Sequence, residues 1–139
     1  DSIQAVVLSV KLERLNDYCN ARRKAAWFYD EAFKDISEIT TPKREQNSCH
    51  VFHQYTLKIK DVDRAELQKY LMEKGIPAMI YYPVPLHQQK AYLDERYTDG
   101  SFSIAEKLAS QVLSLPMHTE LTDEQLSYIT ENIIDFIKK

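Results

Sequence analysis

The stretch Gly75–Tyr92, GIPAMIYYPVPLHQQKAY, decides how this chain is read. Between Ile76 and Tyr82 the residues alternate, Ala78, Ile80 and Tyr82 facing one way and Met79 and Tyr81 the other, which predicts a strand. Pro83 and Pro85 then remove two backbone donors and push Tyr82 and Val84 into extended geometry. The strand must stop there and give way to a stiff, accessible loop, with His87, Gln88 and Gln89 directly behind it. A strand end that presents Tyr, His and Gln on a proline-stiffened loop is a candidate binding edge. The same pattern also suits a rigid connector with a partly buried histidine.

Working outward, a strand is predicted before this stretch, where Val51, His53, Tyr55, Leu57 and Ile59 alternate with Phe52, Gln54, Thr56 and Lys58. Asp63 with Glu66 reads as a capping box that opens a helix through Lys74, ended by Gly75. On the other side, Ala91–Tyr97 reads as a short helix or irregular segment. Ser103 with Glu106 opens a helix whose apolar face carries Ile104, Leu108 and Val112. Leu113–Pro116 is a short apolar strand, and Thr122 with Gln125 caps a last helix with Leu126, Ile129, Ile133 and Phe136 on one face. Asp35–Ser48 reads as loop. At the start, an apolar stripe from Leu8 to Phe33, with no helix breaker between Ile3 and Lys34, predicts one helix about 48 Å long. The expected fold is an α/β sandwich: a sheet of about three strands covered by helices, residues 1–139 forming one domain and 1–34 one long helix.

Composition excludes several functions. With 139 residues, 44% hydrophobic and 28% charged, the chain suits one ordinary globular domain. A net charge of −3 gives no general attraction to nucleic acid or anionic membranes. No apolar run approaches the roughly 20 residues a membrane helix needs. Phe52 with Lys58 is too little for an RNA-binding sheet. Cys49, His50 and His53 stand close together, but His50 and His53 would face opposite ways on a strand and no second ligand pair follows. His118, after Pro116, reads as a surface turn, and Cys19 as helix packing. With only Cys19 and Cys49, reduced thiols in the cytoplasm are expected. Two glycines, Gly75 and Gly100, leave no glycine-rich phosphate loop.

The run Tyr82-Pro83-Val84-Pro85-Leu86-His87-Gln88-Gln89 closely resembles the YPxPLHxQ segment of the DegT/StrS-type sugar aminotransferases. Three further stretches fit the same family in order: Asp1-Ser2-Ile3-Gln4-Ala5 with Lys11-Leu12, then His53-Gln54-Tyr55-Thr56, then Leu113-Ser114-Leu115-Pro116-Met117-His118. The resemblance implies the C-terminal small domain of a fold-type I enzyme. Such enzymes use pyridoxal 5'-phosphate to move an amino group, typically from glutamate, to a nucleotide-linked keto-sugar for polysaccharide or glycoside synthesis, and they are homodimers. It places the Schiff-base lysine, the aspartate facing the pyridine nitrogen and most phosphate contacts in a larger domain upstream of Asp1. It leaves Tyr81, Tyr82, His87 and Gln88 here as the sugar-facing residues, Tyr81 standing where many members carry His. The rival expectation is a ligand-sensing or interaction module that reuses the fold without catalysis.

Ile3, Val6, Val7, Leu8 and Val10 wrap most of the first helical turns, more than one small domain can cover. The chain starts at Asp1 without methionine, and these turns are expected to pack on an absent surface. Each such side chain is worth about 1.5–3 kcal/mol when buried, so in the 139-residue chain by itself these turns either fray, as helix ends readily do, or pair two chains, and pairing is the expectation because the apolar surface is contiguous. Light scattering over a concentration series should show pairing that Val7→Glu and Val10→Glu abolish. A monomer at every concentration, with Ile3–Val10 amides protected, would contradict it.

Overall fold

Tyr55, Leu57 and Ile59 are buried while Lys58 between them is exposed, and this alternation makes the central strand of the fold. The computed structural model describes residues Asp1–Lys139. In chain order the elements are helix α1 (Ser2–Leu12), helix α2 (Leu15–Phe33), strand β1 (Ile39–Thr40), strand β2 (Tyr55–Ile59), helix α3 (Arg64–Glu73), helix α4 (Ser103–Gln111), strand β3 (Val112–Leu115) and helix α5 (Asp123–Ile137), with two 3-10 turns, Leu86–Gln88 and Lys90–Tyr92. The sheet has the order β1-β2-β3, antiparallel throughout, with Ile39 opposite Ile59 and Tyr55 opposite Leu115. The α/β class and the number of strands agree with the sequence. No helix is long and apolar enough to cross a membrane.

The core lies between sheet and helices. Tyr29 and Phe33 of α2, Leu67 and Leu71 of α3, and Leu126, Ile129 and Ile133 of α5 meet Tyr55, Leu57, Leu113 and Leu115 of the sheet. Helix α5 packs on both α2 and α3. Two helix starts form as their sequences require. Asp63 accepts the Ala65 and Glu66 amides at α3, and Thr122 and Gln125 close a reciprocal capping box at α5. Gly75, at φ 74°, ends α3 in the left-handed conformation that glycine adopts without penalty.

Four expectations change. First, the 1–34 helix is two helices, because Arg14, at φ −105° and ψ 8°, interrupts the ladder between α1 and α2. No residue of α1 is buried, so nothing in the chain holds it in line with α2, whose packing begins around Ala25 and Ala26. Second, β2 starts at Tyr55, not Val51. Phe52 adopts φ 48°, which costs a non-glycine residue roughly 1–2 kcal/mol. Burial of its ring beneath Arg44 and beside Tyr55 offsets this by about 1.5–3 kcal/mol. Val51, His50 and His53 are therefore exposed and lie outside the strand, so the strand-face argument does not apply to the two histidines.

Third, the third strand is Ile39–Thr40, inside the expected loop, whereas Ile76–Tyr82 makes only one bridge, Met79 to Ser114. The alternation of burial persists as far as Tyr81, with Ile76 and Ala78 buried and Met79 and Tyr81 exposed, but Tyr82, expected on the Ala78 face, is 74% exposed. The ladder fails because Ala78 uses its groups elsewhere. Its N–H donates to Ile76 O, and its carbonyl accepts from Gln68 Nε2 at 3.0 Å. Pro77 has no N–H to give. Fourth, Ser103 does not cap α4. The capping position is Phe102, and Glu106 reaches back to its amide. Helix α4 buries no residue, and Ile104 and Leu108 are exposed.

Tyr29 and Tyr55 sit at the centre, their ring centroids 4.9 Å apart. The Tyr29 hydroxyl donates to Pro116 O at 2.9 Å, and that of Tyr55 to Asp30 Oδ1 at 2.6 Å. Burial pushes the Tyr29 phenol far above its ordinary value of 10.0. Burial, then the hydrogen bond to the Asp30 carboxylate, does the same to Tyr55. A raised folded-state value means that the stability held in these neutral phenols is complete below pH 10.0 and is lost as pH rises beyond it. Spectrophotometric titration of the folded protein should leave two phenols un-ionised that denaturant releases. Tyr29→Phe should reduce that number to one and cost about 1 kcal/mol in urea unfolding.

Candidate functional site

The segment after Met79 leaves the sheet through Tyr81 and Tyr82, whose rings meet edge to face at 6.0 Å across a cis peptide bond. Tyr81 is 40% and Tyr82 74% exposed, so both phenol rings are available to a ligand. Pro83 and Pro85 keep the backbone extended up to the 3-10 turn at Leu86–Gln88.

Tyr81 belongs to two concavities. One, of about 210 Å³, is walled by His53 and Gln54 just before β2, by Pro77 and Met79, and by Ser114 through Met117. The other, of about 580 Å³, runs between Tyr81–Leu86 and the Ala105, Leu108 and Ala109 face of α4 and is mostly apolar. At the floor of the smaller one, Ser114 exchanges both backbone hydrogen bonds with Met79, at 2.9 and 2.7 Å, and its hydroxyl lies 2.8 Å from that of Thr56. Three stretches far apart in sequence, around His53, Tyr81 and Leu115, thus share one wall.

His87 and Gln88 face elsewhere. They line a third cavity of about 590 Å³, together with Asp94, Tyr97 and Asp99. The His87 side chain, 10% exposed, has its Nε2 2.9 Å from Glu106 Oε1, and its ring rests on Phe102 at 4.8 Å. Gln88 Nε2 donates to Asp99 Oδ1 at 2.9 Å. The Glu106 carboxylate also accepts the amides of Gly100, at 3.0 Å, and Phe102, at 3.2 Å. Burial works to raise Glu106, but the hydrogen bonds from Phe102, His87 and Gly100 outweigh it and hold the carboxyl below its ordinary value. The four sugar-facing candidates therefore divide into an open pair, Tyr81 and Tyr82, and a pair already bonded within the chain, His87 and Gln88.

The sequence reading gave no role to His53, Gln54, Met117 or Glu106. The first three lie inside the quoted stretches, and that position is the signal that could have found them. The spacing of Glu106 from Ser103 marks it only as half of a cap. A further concavity of about 730 Å³ lies along α1 and α2 and shares no residue with the loop. Arg22 lines it, with its Nε buried and unpartnered.

Pyridoxal phosphate requires a lysine amine for its aldehyde and a cradle of donors for its phosphate. Every lysine in this chain is exposed. Both glycines sit in turns with open space beside them, and the first amides of α3 and α5 are occupied by Asp63 and Thr122. The residues present do not form such a site by themselves.

Residues 1–134 match the DegT/DnrJ/EryC1/StrS aminotransferase family. The chain is 44% identical to a pleiotropic regulatory protein of Geobacillus stearothermophilus, over 99% of this chain and 37% of that protein. It is 38% identical to the UDP-N-acetyl-3-dehydro-alpha-D-glucosamine 3-aminotransferase of Acidithiobacillus ferrooxidans, over 93% of this chain and 34% of that one. Its fold superimposes on S. venezuelae DesV with a TM-score of 0.93 at 30% identity, covering 100% of this chain and 37% of DesV. The chain thus spans about a third of the length of the relatives it matches.

Proposed function

Because the chain belongs to the DegT/DnrJ/EryC1/StrS aminotransferase family, we propose that it is the C-terminal domain of a pyridoxal-phosphate-dependent aminotransferase. The whole protein passes an amino group, from glutamate, to a nucleotide-linked keto-sugar in polysaccharide or glycoside biosynthesis, as a cytoplasmic homodimer. The observation that carries this reading is the meeting of two family-like stretches, His53-Gln54 and Leu115–Met117, with Tyr81, the residue that precedes the third, on one concave wall. The cofactor supplies the electron sink for amino transfer and is held mainly by residues outside this chain, in keeping with the exposure of every lysine here.

This domain provides the sugar side of the cleft. Tyr81 and Tyr82 offer exposed rings and hydroxyls to the sugar. The His87–Gln88 turn completes the loop that carries them. Aromatic faces suit the apolar faces of a sugar ring, and phenol hydroxyls can donate to or accept from its hydroxyl groups.

A second reading draws on the name of the Geobacillus relative, a pleiotropic regulatory protein: a ligand-sensing or interaction module that reuses the fold without catalysis. Turnover separates the two. The full-length protein, supplied with pyridoxal phosphate, glutamate and nucleotide keto-sugars, should aminate one of them, whereas the 139-residue chain alone should be inactive. Tyr82→Phe should raise the sugar KM about two- to twelvefold, the value of one hydrogen bond of roughly 0.5–1.5 kcal/mol, and leave cofactor absorbance unchanged. No amino transfer to any nucleotide keto-sugar by a protein that retains the cofactor would favour the regulatory module.

A further inference from the structure

Between Ile80 and Leu93 the backbone hydrogen bonds are all local: Gln88 to Pro85, Gln89 to Leu86 and Tyr92 to Gln89. Only two hydrogen bonds join this segment to the rest of the chain, His87 to Glu106 and Gln88 to Asp99. The second lies on the surface, where such a contact is worth little. The first is part-buried and charge-assisted, and its acceptor is the same carboxylate that gathers the Gly100 and Phe102 amides. We propose that Glu106 is a positioning residue, which clamps His87 to the start of α4 and so holds the Tyr81–Leu86 loop where its tyrosines meet the sugar. This rests on the reading of Tyr81 and Tyr82 as sugar contacts.

The chemistry requires a carboxylate. An ionised carboxyl accepts only, with about four lone-pair sites on two oxygens, and here three N–H groups converge on it. A glutamine of the same shape would turn an NH2 group toward one of these donors. His87 gives its Nε2 proton to this bond, and the Phe102 ring against it fixes the imidazole plane. Tyr97 supports Phe102 in turn, at 5.4 Å. With Pro83 and Pro85 keeping the segment stiff, an anchor at His87 is transmitted back to Tyr82 instead of being lost in a flexible chain. His87 thereby acts through the loop, without touching the sugar.

The test uses the holoenzyme with Glu106→Gln, His87→Phe (which keeps ring packing but cannot donate) and the double variant. Hydrogen exchange of the Gln88, Gln89 and Tyr92 amides, the hydrogen-bonded ones of the segment, should speed up about tenfold or more in each. The sugar KM should rise by a similar factor while cofactor absorbance stays as in the parent. The double variant should be no worse than either single, because both remove one interaction. Unchanged loop exchange in either folded variant would overturn the proposal. So would a loss of turnover in His87→Phe without one in Glu106→Gln, which would put His87 on the substrate. If one variant does not fold, the other carries the test. Should loop exchange rise while Tyr82→Phe leaves the sugar KM untouched, the sugar-facing reading fails, and with it the sugar part of this proposal, while the clamp itself stands.

Discussion

The hydrogen bond from Tyr29 to the Pro116 carbonyl, made while the Tyr29 ring lies against Tyr55, ties α2 to the end of β3 and to the strand beside it. Tyr55 extends the link, since its hydroxyl ends on Asp30, which also pairs with Arg44. A buried phenol without a partner would lose the hydration of its hydroxyl for nothing in return, so each ring can occupy the centre only where its oxygen finds an acceptor. That requirement sets where α2 crosses the sheet. It also sets the position of Pro116, and with it the wall formed by Ser114 to Met117.

From that fixed point the functional edge is built outward with decreasing backbone support. Strand β3 pairs with β2 over Tyr55–Lys58 and then gives one further bridge, from Ser114 to Met79. Beyond Met79 no ladder continues, and stiffness passes from hydrogen bonds to the prolines and to the carboxylate of Glu106. The arrangement leaves Tyr81 and Tyr82 in solvent on a loop held at both ends. An exposed aromatic pair on a fixed backbone can select a ligand without first being ordered by it.

Sequence and structure part company for one kind of reason. Asp63 and Thr122 were readable because a cap acts within three residues of itself. Tyr55, Leu57 and Ile59 were readable because the strand period appears in any short window. The segment Ile76–Tyr82 carried the same period and kept it as far as Tyr81, yet it formed one bridge, because Gln68 of α3 took the Ala78 carbonyl. Phe52 broke the alternation before β2 because a place in the core outweighed the cost of its backbone angle.

By itself the sequence determined the α/β class, the capped ends of α3 and α5, the faces of the central strand, the proline-stiffened loop with its tyrosines and the family. All of these rest on signals that span a few adjacent residues or on an ordered set of short words. Only the tertiary structure decided the rest: the break at Arg14, the pairing of Ile39–Thr40 with β2, the convergence of His53, Tyr81 and Met117, and the capture of His87 by Glu106. These depend on groups far apart in the chain competing for the same partner. Glu106 could as well have served its own helix start alone. What brought His87 within 2.9 Å was the packing of the loop ring onto Phe102, a contact that no local pattern contains.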